Sequence, residues 1–136
     1  MNKKMMILVY MICITLCATS CIQSQHKINL YDAEEILNEG DTYYSSAYTM
    51  KNDTLELKRF SGTYTIQTFD VPLTINLHID WEIERGTMRV LWITADNNIV
   101  ELESGDHHFI VTEGMSRLKI ITDDVSCMIT WHINVR

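Results

Sequence analysis

From Leu55 onward, apolar and polar residues alternate with a period of two. Over residues 73–84, Leu73, Ile75, Leu77, Ile79, Trp81 and Ile83 fall on one face, while Thr74, Asn76, His78, Asp80, Glu82 and Glu84 fall on the other. Successive side chains of a strand point to opposite faces, so twelve residues of strict alternation predict a half-buried β-strand. The last segment repeats the pattern, with Val125, Cys127, Ile129, Trp131, Ile133 and Val135 inward and Ser126, Met128, Thr130, His132, Asn134 and Arg136 outward. TYTIQTF, MRVLWITA, IVEL, HHFIVT and RLKIIT supply the other strands. The boundaries fall at Arg85-Gly86, Asp96-Asn97-Asn98, Ser104-Gly105-Asp106, Glu113-Gly114 and Asp123-Asp124, residue types that favour turns. MRVLWIT is apolar on both faces, which predicts a strand covered on both sides. The reading is an all-β domain over residues 55–136, an antiparallel β-sandwich of about seven or eight strands with no helix between them. Pro72 stands just before a strand, where its missing N–H is tolerated.

Residues 21–54 have a different character. IQSQHKI, residues 22–28, is polar and reads as a short tether. NLYDAEEILNEG predicts one short helix: Asn29 or Asp32 caps it, Glu34 and Glu35 suit its first turn, and Gly40 suits its end. Leu30, Ile36 and Leu37 give it an apolar face, and at this length it must dock to persist. Tyr43, Tyr44 and Tyr48 belong to a Tyr/Ser-rich stretch without a clear period, suited to covering one end of the domain or to lining a surface contact.

Residues 1–20 read as a signal peptide. Lys3 and Lys4 precede a run from Met5 to Cys17 that is almost uninterruptedly apolar, and Ala18, Thr19 and Ser20 provide a small-residue exit. A spanning helix needs roughly 20 apolar residues, more than this run supplies. Without the leader, 116 residues remain. The loss of Lys3 and Lys4 reduces the 11 basic side chains to 9 against 18 acidic ones, a net charge near −9. Such a chain repels nucleic acid, which is tracked by basic surfaces, and it also repels anionic membranes. Of the four cysteines, Cys13 and Cys17 lie in the leader, so Cys21 and Cys127 remain, too few for a disulfide framework.

Ala18-Thr19-Ser20-Cys21 resembles the box that ends bacterial lipoprotein signals, in which small residues precede a cysteine that takes the lipid. Ala18 stands where leucine is usual. The alternative, Ile14-Thr15-Leu16-Cys17, puts bulky Leu16 beside the cysteine, and Cys21 is therefore the expected lipidation site. Multiple acyl chains there would anchor the protein durably to the extracytoplasmic face of the cell membrane, whereas a single chain is marginal. An ordinary cleaved signal, releasing a secreted protein, is the other outcome. The stretches SGTYTI, LTINLHIDWEI, MRVLWITADNNIVEL, EGMSRLKII and CMITWHI, from Ser61 to Val135, resemble small sandwich domains of bacterial envelope lipoproteins, loosely akin to Golgi-dynamics and pre-peptidase C-terminal modules. The resemblance implies a sandwich and carries no catalytic signature. Asp123-Asp124-Val125-Ser126 stands where such domains often open the last strand with glycine.

Candidate chemistry is sparse. His107 and His108 are adjacent and point to opposite faces of a strand. His78 and His132 lie on outward faces and become neighbours if their strands pair, with Asp80 one step along. Zinc needs at least three or four such ligands, so no metal site and no cofactor is expected. Cys127 falls in the inward register and reads as a small core hydrophobe rather than a nucleophile. Asp96-Asn97-Asn98 and Asp123-Asp124 read as turns, and Asp80, Glu82 and Glu84 as a solvated stripe. Trp81 and Trp131 take core positions; only Trp92, on the two-faced strand, is open to either packing or stacking on a sugar. The expected function is a non-enzymatic structural or interaction module of the cell envelope, with binding of carbohydrate or another small ligand as the alternative. The two readings share a membrane partner reached through lipid on Cys21, and differ in whether an envelope protein or a carbohydrate meets the domain.

Overall fold

The computed structural model describes residues 27–136; the leader, Cys21 and the first part of the tether lie outside the described residues. One short helix, α1 (Ala33–Leu37), is followed by seven strands. These are β1 (Tyr43–Tyr44), β2 (Ala47–Lys51), β3 (Thr54–Phe69), β4 (Leu73–Ile93), β5 (Ile99–Leu102), β6 (Gly105–Val111) and β7 (Ser116–Val135). The fold is all-β. The strands form one antiparallel sheet in the order β1-β3-β7-β4-β5, with β2 also on β3 and β6 also on β4. The Tyr/Ser-rich stretch supplies β1 and β2, which no periodicity announces. Tyr43 stacks on Phe60 at 4.8 Å and meets Tyr48 edge-on, so these two cover Phe60, whereas Tyr44 faces solvent.

Three of the expected turns are real. Asn97, with φ of 62°, turns β4 into β5, Gly105 opens β6, and Gly114, at φ 108°, leads into β7. The other two are not turns. Arg85-Gly86 lies inside β4, and Asp123-Asp124 lies inside β7, so β4 runs for 21 residues and β7 for 20. The left-handed backbone at Gly86 (φ 76°) and Asp124 (φ 49°) bends the strands without ending them, and Arg59 (φ 49°) and Gly62 (φ 122°) do the same in β3. The pairings slip at the same level, between Leu57 and Gly62 in β3 and between Ile83 and Thr87 in β4. Extra residues inserted into paired strands make bulges, and bulges bend a sheet. Because three neighbouring strands bulge together, the sheet folds over on itself along one line.

The two halves face a shared core. Leu55, Leu57, Ile75, Leu77, Ile79, Cys127, Ile129 and Trp131 come from one side of the bend, and Val90, Trp92, Leu118 and Ile120 from the other. The predicted inward registers of β4 and β7 hold, with two exceptions at the rim. Ile83 and Val135 are exposed. β6 pairs with β4 only as far as Ile79, and β5 begins only at Val90, so Ile83 pairs with β7 on one side and with no described strand on the other.

MRVLWIT is covered on both faces as predicted. Val90 and Trp92 enter the main core, while Leu91, Ile93 and Ile121 on the reverse face pack under Ile36 of α1. Asp32 caps the helix by accepting from the N–H groups of Glu34 and Glu35. Gly40 does not end it; Asn38 holds the C-cap position in ordinary φ. The last carbonyls are instead taken by cations from β7. Arg117 donates to Leu37 O and Asn38 O at 3.1 Å, and Lys119 donates to Asn38 O at 2.7 Å. Lys119 is fully buried, and Asp41 lies 3.6 Å from its ammonium.

Candidate functional site

The half of the sheet built from β6, the first part of β4 and the last part of β7 leaves its outer face bare, whereas α1 covers the other half. Two rows of polar side chains cross the bare face. Asp106 of β6 pairs with His78 of β4, which pairs with His132 of β7. One step along, His108 pairs with Asn76, which pairs with Asn134. The sequence-level expectation that His78 and His132 become neighbours is met in register, as direct partners.

His78 is held from both sides. Its Nδ1 lies 2.7 Å from an Asp106 oxygen and its Nε2 lies 2.9 Å from an Asp80 oxygen. Two carboxylates on two ring nitrogens require both nitrogens to donate, which only the imidazolium does. The Asp106 hydrogen bond, followed by that of Asp80, raises the His78 pKa above its ordinary value. Asp80 is pushed the other way, first by the hydroxyl of Ser104 and then by His78. Ser104 and Asp106 flank the turn from β5 to β6, so this cluster fastens that corner onto β4. Farther along, His108 Nδ1 meets Asn76 Oδ1 at 2.8 Å, His107 Nε2 meets the carbonyl of Glu103 at 2.7 Å, and His132 stands 3.9 Å from Asp53. His78, His107, His108, His132, Asn76 and Asn134 line a shallow depression of about 350 Å³.

Among the described residues, no three His, Cys, Asp or Glu side chains converge as a metal would require. His78 has no nitrogen free, because its carboxylates already occupy both.

Two further candidates are placed by the core. Cys127 is buried, 3.9 Å from the Met88 sulfur, and burial pushes its thiol pKa up to about 11. A thiol at that value is a poor nucleophile near neutrality. Of the two roles open to Trp92, the structure shows packing. The side chain is only 3 % exposed, stacked on Phe109 at 4.2 Å with Phe69 alongside, and no sugar reaches its face. The strand is two-faced because α1 covers its reverse side, not because that side meets a ligand.

Several residues of this face escaped the sequence reading. By sequence alone, Asn76 and Asn134 fall on outward strand faces and Asp106 falls in a turn. One signal was present: Asn76-Leu77-His78 and His132-Ile133-Asn134 are mirror images, and antiparallel pairing of mirror images sets Asn against Asn and His against His. Asp106 had no such signal, because the β4–β6 register is fixed only in three dimensions. Comparison with protein-family models and with curated proteins finds no match to this chain. Among the described residues, no helix is long and apolar enough to cross a membrane.

Proposed function

We propose that the protein is a lipid-anchored, non-enzymatic module on the extracytoplasmic face of the cell membrane, fixed through Cys21 and engaging other components of the envelope. The observation that carries this reading is the leader ending in Ala18-Thr19-Ser20-Cys21. Resemblance of residues 61–135 to sandwich domains of envelope lipoproteins supports it. The described chain is compatible with a short anchor: Ile28 donates its N–H to Asp123 at the bend, and a stretch of seven residues such as Cys21 to Lys27 can reach at most about 25 Å. Radiolabelled fatty acid fed to producing cells should enter the wild type and be lost from Cys21→Ser. Label that survives in Cys21→Ser and disappears in Cys17→Ser would move the anchor, and no label in the wild type would sink the proposal.

A second reading, a binding module for carbohydrate or another small ligand, is favoured by the bare histidine face. Convergent amides, imidazoles and carboxylates over a concave surface are the groups that orient polar ligands. Support for this reading now rests on that face and no longer on Trp92.

A further inference from the structure

Three of the chain's five histidines, His78, His108 and His132, share the outer face over the depression described above, while His107 stacks on Phe109 on the other face of β6. They come from two strands on either side of β4 and from β4 itself, so no local sequence bias gathers them. The fifth, His26, lies outside the described residues. Histidine is the side chain whose ordinary pKa lies closest to neutrality, so such a gathering makes a surface whose charge depends on pH.

The charged groups facing these imidazoles come from every neighbouring element. β4 supplies Asp80, and β6 supplies Asp106 beside His107 and His108. The residue before β3 supplies Asp53, which faces His132. Arg136 follows on the same face of β7, and Glu103 contributes its carbonyl rather than its carboxylate to His107. His107 turns to the other face of β6, against Phe109. With the imidazoles of His78, His108 and His132 neutral, three aspartates and Arg136 set this face at −2; with all three protonated, it stands at +1. Asp80 and Asp106 are engaged by His78, which leaves the imidazoles of His108 and His132 and the amides of Asn76 and Asn134 to meet a ligand.

We propose that this depression binds an anionic saccharide, a sugar bearing a carboxylate or a phosphate, and that it does so only when its histidines are protonated. The inference rests on the reading of the protein as a small-ligand binding module and names the chemistry of the ligand. The sugar-sized volume and the two amides suit hydroxyl groups, which accept and donate in the same plane. Imidazolium N–H groups on either side supply donors for the anion, and charge-assisted hydrogen bonds of this kind are roughly twice as strong as neutral ones. At higher pH the aspartates outnumber Arg136 and repel the same ligand. The rest of the mature chain is acidic and offers such a ligand no competing attraction.

Calorimetric titration of the full chain in detergent with glucuronate, glucose 6-phosphate and glucose, at about pH 5.5 and about pH 8 on either side of the ordinary histidine pKa, tests this. The acidic sugars should bind at the lower pH and lose about tenfold or more in affinity at the higher one, a change of about 1.4 kcal/mol or more. His108→Asn/His132→Asn, both exposed positions, should show the same loss at the lower pH with an unchanged circular dichroism spectrum. Binding of only one of the two acids would assign the anion as carboxylate or phosphate and support the proposal. Glucose binding equally at both pH values would overturn the anionic inference while leaving the carbohydrate reading standing. Failure of all three sugars to bind would overturn both, and undiminished binding in the double variant would place the site elsewhere.

Discussion

Asp124 carries two burdens in one residue. Its backbone adopts φ of 49°, and its carboxylate accepts from Arg85 Nε at 2.8 Å while pairing with Arg59. The Arg85 hydrogen bond, with Arg59 behind it, holds the Asp124 pKa below the usual carboxylate range. Aspartate tolerates the left-handed region better than most residues, whereas Gly86 across the strand has no alternative. A Cβ added there would collide with the Asp124 carbonyl oxygen, at a φ of 76° that side chains rarely adopt. Gly86→Ala should therefore cost about 2–3 kcal/mol of stability in urea denaturation, from strain and collision together. Gly105→Ala should cost less, because it meets nothing within 4 Å and pays only for its backbone. Cys127 gives a second residue-scale expectation. With its thiol pKa near 11 and its side chain buried, it should resist iodoacetamide in the native full chain at neutral pH and react once urea unfolds the protein. Rapid native labelling at Cys127, mapped by mass spectrometry, would contradict the burial argument.

At the scale of elements, α1 has five residues and is too short to persist alone. It exists because Ile36 seals Leu91, Ile93 and Ile121, and because Arg117 and Lys119 take the carbonyls left open at its end. Burial lowers the Lys119 pKa, and Asp41 works against that shift. Among the described residues, no buried side-chain nitrogen or oxygen lacks a partner, so these cations are fully engaged. Lys119→Met keeps the apolar stem but leaves the Asn38 carbonyl to Arg117 alone and Asp41 to its hydrogen bonds from Thr65, and should cost about 1–2 kcal/mol, with early loss of amide protection in residues 33–41 by hydrogen exchange. The corner at Ser104 and Asp106 is fastened by a different chemistry. The folded state raises the His78 pKa, so the stabilisation is complete below the ordinary value of about 6.5 and is lost as pH climbs through the raised value. The Asp80 pKa is lowered, so its share is present above about 3.8 and is lost as pH falls. Thermal midpoints of the wild type should fall between neutral and alkaline pH more than those of His78→Asn. Equal falls would deny His78 this part.

The same elements explain what could be read without coordinates. Alternation along residues 73–84 and 125–135 declared two strands and their inward faces, because one buried face imposes a period of two regardless of the partner. The mirror-image Asn and His pairs even encode the β4–β7 register. The bends were hidden because Gly86 and Asp124 are the residue types that make turns as well as bulges. Only the presence of an irregularity in the adjacent strand distinguishes the two. Lys119 and Arg117 were hidden for a related reason: in RLKIIT they occupy the polar face of an ordinary alternation, and only docking of α1 buries that face.

For the whole molecule, the consequence of long bent strands is cooperativity. β4 and β7 each cross the bend, and Ile75, Leu77 and Ile79 share one core with Val90, Leu118 and Ile120. One half keeps only the small cluster of Leu91, Ile93 and Ile121 under Ile36, and the other keeps none, so opening the sheet at the bend would expose apolar surface from both. Burial of that surface contributes about 25 cal/mol per Å², and either half alone would forfeit most of it. The protein should therefore unfold in one transition, as small single domains usually do. Trp92 and Trp131 report on opposite sides of the bend, both from the interior. Replacing Trp81 and one of these two by Phe leaves a single emitter in each half. The two emission curves in urea should share a midpoint and slope with each other and with far-UV circular dichroism. Separate midpoints for Trp92 and Trp131 would mean that the bend is a hinge between independently stable layers rather than a fold line in one core. Refolding should take milliseconds to seconds, since β3, β4 and β7 pair residues distant in sequence and their closure entropy is spent before the core rewards it.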